Sequence, residues 1–551
     1  MPVLKFKPGR IEEVIGASLN ESLRIIESLK IEVELHDYVE LEVEVDRPDM
    51  YSLEGIARQA RGVMGLEEGL PSYELLDTPY EIKVSHVATR PYIASAIVWD
   101  VNVDEDYLEE LIQFQEKLHI SIGSGRSRVA IGLHDLEKLP STRLTYAFED
   151  IDNVVFTPLG YEKKMSLREV FSITEQGRKY GGISRSGNKH PVLRAGGEVI
   201  SVPPVINAEL TRIEPGTRHV FIDVTGPELK PVLDTLSILV ANLAERGKGR
   251  IGRVTVKTSY GIMREPTLNH TTRRLRLSYV ERVLGIRLDP FTAIHHLRRM
   301  RYDARPLDEE IIEVLVPRYR IDVMHPIDLV EDIMLSIGLH NLKPKRPRRL
   351  LRGRLKPSYY WGREARRILA YMGFVELMGY TLVPCSYIEF SPGAQKPIKL
   401  ANPVGPESAC IRSSLVPLLL RAASRNQHYV PLKVFESGEA YVRDESSDVK
   451  VSARKRIAML IMNHRVGYED IQAYTYKLLA ALGDQVVEVK RFSHRIFIEG
   501  RAAHIRTQNK VEIVLGEVHP QVLEEFGITY PTAIAEIDYT SLDTLVGETK
   551  P

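Results

Sequence analysis

YRIDVMHPIDLVED, residues 319 to 332, carries the densest local signal in the chain. It leads into DLVEDIMLSIG, and Asp328, Glu331 and Asp332 stand at i, i+3 and i+4, so they share one helix face with Asp322 just upstream. Carboxylate oxygens are the ligands a hard cation such as Mg2+ prefers. Acids at a helix start also complement the macrodipole and cap free amides, and Arg320 is close enough in sequence to pair with them in an ordinary ion network. On spacing alone that plainer role is favoured.

The neighbouring text gives the acids a setting. Residues 266 to 342 are basic and helical, with RRLRLSYVERVLG and DPFTAIHHLRRM before the strand IIEVLVP and the helix DLVEDIMLSIG, and helix, helix, strand, helix in so short a span predicts a small winged-helix-like module. His295 and His296 are adjacent and point about 100° apart on a helix, so they cannot share a metal as an i, i+4 pair would. KPKRPRRLLRGRLKP (343 to 357) carries eight Lys or Arg among its prolines and is a linker by composition. It could touch RNA phosphates, but it has no aromatic residue for base stacking before Tyr359, Tyr360 and Trp361. From 358 to 551, a helix with Trp361, Ala365, Ile368, Leu369 and Met372 is followed by the strands FVELMGYTL, LKVFESGEAYV, RIAMLIM and AIAEIDY, with helices such as SSLVPLLLRAASRN between them. This predicts an α/β domain on a largely antiparallel sheet.

Residues 86 to 262 are dominated by short β-rich segments, YIASAIVWDV, SRVAIGLHDL, EVISVPPVI and HVFIDVTG, separated by Gly-rich turns. One long helix with Val232, Leu233, Leu236, Leu239, Val240 and Leu243 interrupts them and ends near Gly247. In HVFIDVTG, Phe221, Asp223 and Thr225 fall on one strand face, as in a small polar pocket or a solvent-facing strand. Ser201 and Asn207 add hydrogen-bonding groups around Pro203 and Pro204. SIGSGRSR lacks the ending of a P-loop and GKGRIG the dinucleotide spacing, so both are turns. Residues 1 to 85 form an N-terminal module in which Leu53, Ile56, Ala57, Ala60, Val63 and Met64 mark a helix capped by Asp49 or Ser52 and stopped by Gly65.

Composition limits the classes. At 551 residues the chain exceeds one hydrophobic core, which implies roughly three or four domains. Hydrophobic residues at 43% and charged residues at 27% exclude a disordered chain. Lys plus Arg and Asp plus Glu balance at 74 each, so any nucleic-acid contact must be local. No apolar run approaches the ~20 residues of a membrane span. With only Cys385 and Cys410, a disulfide framework or a four-cysteine zinc site is excluded, and a reducing, cytoplasmic setting is the simpler expectation.

Taken in order, these segments resemble the beta subunit of phenylalanine-tRNA ligase of the archaeal/eukaryotic type over nearly the whole chain. DRPDMYSLEGIARQARGVMGL is similar to the family's N-terminal module, RVAIGLHDL through FIDVTG to its editing domain, PRYRIDVMHPIDLVEDIMLSIGLHNL to its B5 module, and LANPVGPESACIRSSLVPLLLRAASRN with LKVFESGEAYV to its catalytic-like domain. LGEVHPQVLEEFGI and AIAEIDY also fit. The resemblance implies an α+β multidomain fold with a β-rich editing domain, a winged-helix-like B5 module, and a class II synthetase-like antiparallel domain without catalytic motifs. It implies Mg2+ on Asp322, Asp328, Glu331 and Asp332, which reverses the plainer expectation for that cluster.

The same resemblance implies an editing site for tyrosine-charged tRNA at Ser201, Asp223 and Thr225, with Leu193 as a pocket wall. A phenylalanine pocket cannot strongly reject an amino acid that merely adds a hydroxyl, so a second, hydrolytic site is needed. No Ser-His-Asp arrangement in the sequence compels a covalent route, which leaves a positioned water as the expected nucleophile. LKVFESGEAYV lacks the Arg expected on an ATP-binding strand, and AIAEIDYTSLDTL is followed by no Gly-rich Arg motif, so ATP chemistry should lie on a separate alpha subunit in an alpha2 beta2 heterotetramer acting on tRNA(Phe). The competing readings are a stand-alone aminoacyl-tRNA editing hydrolase and a winged-helix nucleic-acid-binding regulator. The acidic helix face argues against the regulator, because DNA repels carboxylates.

Overall fold

A computed structural model describes residues 2–247, 249–344, 353, 355–393 and 396–543. The chain divides into two compact units, Met1–Arg346 and Pro347–Pro551. Most of the basic stretch expected as a linker, 343 to 357, lies outside the described residues.

The first unit opens with a three-stranded antiparallel sheet of Val3–Phe6, Val39–Glu42 and Glu32–Leu35. Beside it is the expected helix, Leu53–Met64. The Ser52 side chain accepts from the Gly55 amide, and Gly65 ends the helix with a φ of 75°, which a glycine adopts without penalty. Asp49 is not the cap. Its carboxylate is buried and accepts two hydrogen bonds from Arg47 at 3.0 Å, because only a paired cation makes burial of that charge tolerable.

A ten-stranded sheet follows. From one end it runs Ile206–Asn207, Glu198–Val202, Lys189–Ala195, Arg143–Asp150, Glu74–Val84, Arg250–Thr258, Tyr92–Val98, Val220–Gly226 and Ala130–Asp135, with Gly261–Glu265 paired to Arg250–Thr258. The expected boundary at residue 85 therefore falls too late. Glu74–Val84 is an interior strand, parallel to both Arg250–Thr258 and Arg143–Asp150, and partners so distant in sequence leave no local mark on it. The helices Leu229–Arg246 and Glu105–Ile120 pack against the sheet, burying Val220, Ile222 and Val224 with Leu236, Val240 and Leu111 in one core. Phe221 points into the opposite core with Tyr146 and Leu193. The period of two thus gives Val220–Gly226 two buried faces, which excludes the solvent-facing alternative.

In the 266–342 region the basic text RRLRLSYVERVLG is not one helix. Thr271–Arg276 pairs antiparallel with Ile311–Val316 as a strand, and only Leu277–Leu284 is helical. The helices Pro290–Arg299 and Pro326–Ile337 and the strand Asp303–Pro306 complete the module. Alternate burial of Ile312, Val314 and Val316 needs a facing strand, and TTRRLR supplies it at the cost of its own helical tendency.

The second unit is built on a seven-stranded sheet in the order Val375–Glu376, Leu432–Arg443, Val451–Met462, Thr532–Asp538, Glu512–Val518, Phe497–Thr507 and Val486–Arg491. Every pair is antiparallel except the first. Helices Pro357–Tyr371, Val416–Arg425 and Tyr468–Ala481 cover it. Cys385 and Cys410 are joined by a disulfide with a Cα separation of 5.1 Å, contrary to the expectation of two reduced thiols. Strand pairing of Val383 with Cys410 brings them together, a contact that spacing could not reveal. At a sequence separation of 25, the cross-link is worth about 3 kcal/mol on the chain-entropy account. Reduction, or Cys410→Ser, is therefore expected to lower the urea midpoint of the second unit; identical unfolding curves with and without reductant would show that the bond contributes nothing.

Candidate functional site

The two end strands of the large sheet approach each other, and Asn207 bridges them by donating from Nδ2 to the Leu133 carbonyl at 3.2 Å. At this seam lies a cavity of about 380 Å3, walled by the Glu105–Ile120 helix, the Ala130–Asp135 strand and the Pro203–Pro204 turn. Its apolar lining includes Leu111, Ile131 and Leu133, and its polar lining includes Ser201, Asn207, Thr211 and Asp223. A mostly apolar concavity with a few convergent polar groups is the usual form of a small-molecule site.

Two of the four expected editing residues line this cavity. Ser201 donates to Asn207 Oδ1 at 3.0 Å, and Asp223 is 1% exposed. Leu193 does not form the wall. It is the register partner of Ser201 one strand further in, packed among Tyr146, Phe221 and Ile200. Thr225 lies two residues along from Asp223, fully buried, and its hydroxyl has no hydrogen-bond partner among the described residues. Both residues are fully buried and absent from the cavity lining.

Sequence reasoning missed His134. This fully buried side chain on the Ala130–Asp135 strand places Nε2 2.8 Å from Asp223 Oδ2 and Nδ1 2.7 Å from Thr211 Oγ1. An ionised carboxylate can only accept, so Nε2 carries the hydrogen, and in the neutral ring Nδ1 then accepts from the Thr211 hydroxyl. Gly132 makes the contact possible. A Cβ there would stand 1.9 Å from Asp223 Oδ2 and 2.9 Å from His134 Nε2. The pattern GLHD in the β-rich text was the available signal, but its partners lie 77 and 89 residues away.

At the cavity rim Arg126 donates to Glu116 at 2.5 Å and to the carbonyls of Pro204 and Val205. Burial would raise the Glu116 carboxyl, but the hydrogen bond to His119 and the charge of Arg126 outweigh it and hold the group at about 2. Arg90, wholly buried, donates to the carbonyls of Arg126 and Ser127 and so anchors this loop from below. Burial pushes its guanidinium down to about 10.

The four acids of the 322–332 cluster also meet, at a second cavity of about 40 Å3 that Lys30, Glu44, Asp46 and Arg47 help to line. They are not used alike. Arg320 Nη2 donates to both Asp322 and Asp332 at 2.7 Å, and the Tyr302 hydroxyl donates to Asp332. Asp328 Oδ2 caps the helix by accepting from the amides of Met324 and His325, and Glu331 pairs with Lys30. Burial opposes the Arg320 cation, but the facing Asp322 and Asp332 charges outweigh it and raise its pKa well above the usual value. Among the described residues no three His, Cys, Asp or Glu side chains are gathered as a metal shell. The donor set still suits a hydrated Mg2+, which keeps several waters and takes one or two carboxylates, because Asp328 Oδ1 and Glu331 Oε2 are not used by these bonds.

In the second unit the Leu432–Arg443 strand presents Glu436, buried and bound by Arg412 Nη1 at 2.5 Å. Beside it Glu536 accepts from Arg456, from Ser414 and from the Leu415 amide. The charges on this part of the sheet are thus neutralised internally.

A multidomain α/β chain with a seam cavity, a small acid-bearing module and an antiparallel C-terminal sheet has the build of a tRNA synthetase component. Residues 273–339 match the model of the tRNA synthetase B5 domain, and residues 344–539 that of the phenylalanyl tRNA synthetase beta chain CLM domain. The beta subunit of phenylalanine–tRNA ligase from Aeropyrum pernix is 43% identical over 544 residues, 98% of each chain. That of Saccharolobus solfataricus is 39% identical over 96% of each. Among solved structures, an N-terminal fragment of the phenylalanyl-tRNA synthetase beta subunit from Pyrococcus horikoshii is 33% identical with a TM-score of 0.58, covering 61% of this chain and 99% of the fragment. The chain belongs to the phenylalanine–tRNA ligase beta subunit family.

Proposed function

We propose that this chain supports the ATP-dependent charging of tRNA(Phe) by an alpha subunit and hydrolyses tRNA(Phe) mischarged with tyrosine. The observation that carries the hydrolytic part is the seam cavity, where Ser201 and Asp223 stand on the wall, while Leu193 and Thr225 are buried on neighbouring strand positions. A pocket able to hydrogen-bond a hydroxyl can select tyrosine, whereas an apolar phenylalanine pocket cannot strongly reject it. Residues 86 to 262, extended back to include the Glu74–Val84 strand, form the editing domain, preceded by the N-terminal module.

Two features support the division of labour. Arg412 and Arg456, the arginines beside Glu436 and Glu536, are taken up in ion pairs with those carboxylates. Tyr371, Val375, Met378 and Tyr380 are exposed, a run of apolar surface suited to a partner chain, and the alpha subunit is the occupant in an alpha2 beta2 assembly. Asp328 and Glu331 would hold Mg2+, with Asp322 and Asp332 fixing Arg320, and the cation would offset the local excess of carboxylates. No helix among the described residues is long and apolar enough to cross a membrane. We place the complex in the cytoplasm.

The test is aminoacylation of tRNA(Phe) by this chain alone and after co-expression with an alpha subunit, together with clearance of preformed tyrosyl-tRNA. Charging only in the mixture, and tyrosine misacylation that rises in Asp223→Ala while phenylalanine charging persists, are the expected results. Charging by this chain alone would overturn the subunit assignment. Clearance of tyrosyl-tRNA by Asp223→Ala at the wild-type rate would remove that residue from the site.

A further inference from the structure

We infer that Thr211, His134 and Asp223 form a proton relay at the wall of the seam cavity, in which the Thr211 hydroxyl touches the attacking water and His134 takes up its proton. The inference rests on the editing reading above and assigns to it two residues with roles of their own. Thr211 and Asp223 both line the cavity, while His134 lies behind them, fully buried, with each ring nitrogen bound to one of the two. A histidine satisfied only for packing has no need of partners that both open onto the same concavity. Gly132 adds a second observation, since its missing side chain leaves the space in which the carboxylate and the imidazole meet.

The order hydroxyl, imidazole, carboxylate is the arrangement recognised by geometry and role in acyl-transfer enzymes on unrelated folds. Here it serves hydrolysis of an ester. The water oxygen bonds to the carbonyl carbon of the tyrosyl group, and the carbonyl π pair moves to its oxygen. The proton of the water passes to Thr211 Oγ1 as Thr211 passes its own to His134 Nδ1. The resulting imidazolium faces the Asp223 carboxylate through Nε2–H, an ion pair worth most in a buried site. Collapse of the tetrahedral adduct breaks the bond from carbon to the ribose oxygen, and that oxygen takes the proton back from His134 through Thr211. The products are free tyrosine and tRNA with its terminal hydroxyl restored, and no oxidant or further reactant is required. His134 is a positioning and proton-holding residue, and Thr211 is the catalytic group.

The experiment uses the alpha–beta complex and preformed tyrosyl-tRNA under steady-state and single-turnover conditions. Thr211→Val, which removes the hydroxyl with little change of volume, is expected to lower kcat by about a hundredfold or more with KM little changed. His134→Asn should do the same, and Thr211→Ser should restore most of the rate. A solvent deuterium isotope effect on kcat in the wild type, lost in Thr211→Val, would show that the proton moves through the hydroxyl. Phenylalanine charging and the melting midpoint report whether each variant is folded, and Thr211→Val carries the test if His134→Asn is not. Clearance at the wild-type rate in folded Thr211→Val overturns the relay while the editing assignment stands. A wild-type complex that does not clear tyrosyl-tRNA overturns the editing assignment and the relay with it.

Discussion

Gly132→Ala is expected to slow clearance of tyrosyl-tRNA by about a hundredfold, the lower end of what positioned acid–base groups contribute. The cause is steric and local. Gly132 is the register partner of Asp223 across the last two strands of the sheet, and the added methyl carbon would stand 1.9 Å from the Asp223 carboxylate oxygen and 2.8 Å from its carbon. Neither strand can retreat cheaply, because Val220–Gly226 is buried on both faces. The carboxylate must therefore swing away, and its 2.8 Å bond to His134 is the contact that breaks. Phenylalanine charging, assigned to the alpha subunit, should be unchanged. Single-turnover deacylation of tyrosyl-tRNA by the alanine complex measures the effect, and a rate equal to wild type would mean that the Asp223–His134 contact has no part in the chemistry.

Arg320→Met should give the largest loss of stability in the first unit, about 3–5 kcal/mol, the usual penalty for stranding the partners of a buried charge. Arg320 is 5% exposed and is the cation shared by Asp322 and Asp332. Without it the two carboxylates face each other in a poorly solvated site, with Tyr302 donating to only one of them. Urea unfolding followed by tryptophan-independent far-UV circular dichroism would record the shift in midpoint. Added Mg2+ should recover part of the loss in the variant, because the cluster would then have a replacement cation. A midpoint unmoved by the substitution would show that the acids are solvated and not dependent on the arginine. Equal losses with and without Mg2+ would remove the metal from this cluster.

Local features were legible wherever the cause was local. The Leu53–Met64 helix, its Ser52 cap and its Gly65 stop follow from apolar spacing and from two residues whose chemistry ends helices. The Leu229–Arg246 helix and the antiparallel sheet of the second unit were readable for the same reason. Legibility failed where a distant partner decided the outcome. TTRRLR became a strand because Ile311–Val316 needed a neighbour, and Glu74–Val84 became interior because two strands more than 50 residues away flank it. The Cys385–Cys410 bond is not legible either, because nothing near either cysteine announces the strand pairing that joins them.

The candidate site divides along the same line. Residue identity and spacing alone determined that Asp322, Asp328, Glu331 and Asp332 form a cluster, that Asp223 stands on a strand beside groups able to hydrogen-bond, and that LKVFESGEAYV carries no arginine. These depend on periods of two or 3.6 residues and on side-chain chemistry, both carried by neighbouring positions. Only the tertiary structure decided that Arg320 is the cation holding two of the four acids, that Leu193 and Thr225 do not line the cavity, and that His134 joins Asp223 to Thr211. A hydrogen bond is made at about 3 Å whatever the chain length between its partners, so the curvature that brings the two ends of a ten-stranded sheet to one seam creates a site that neither end encodes by itself.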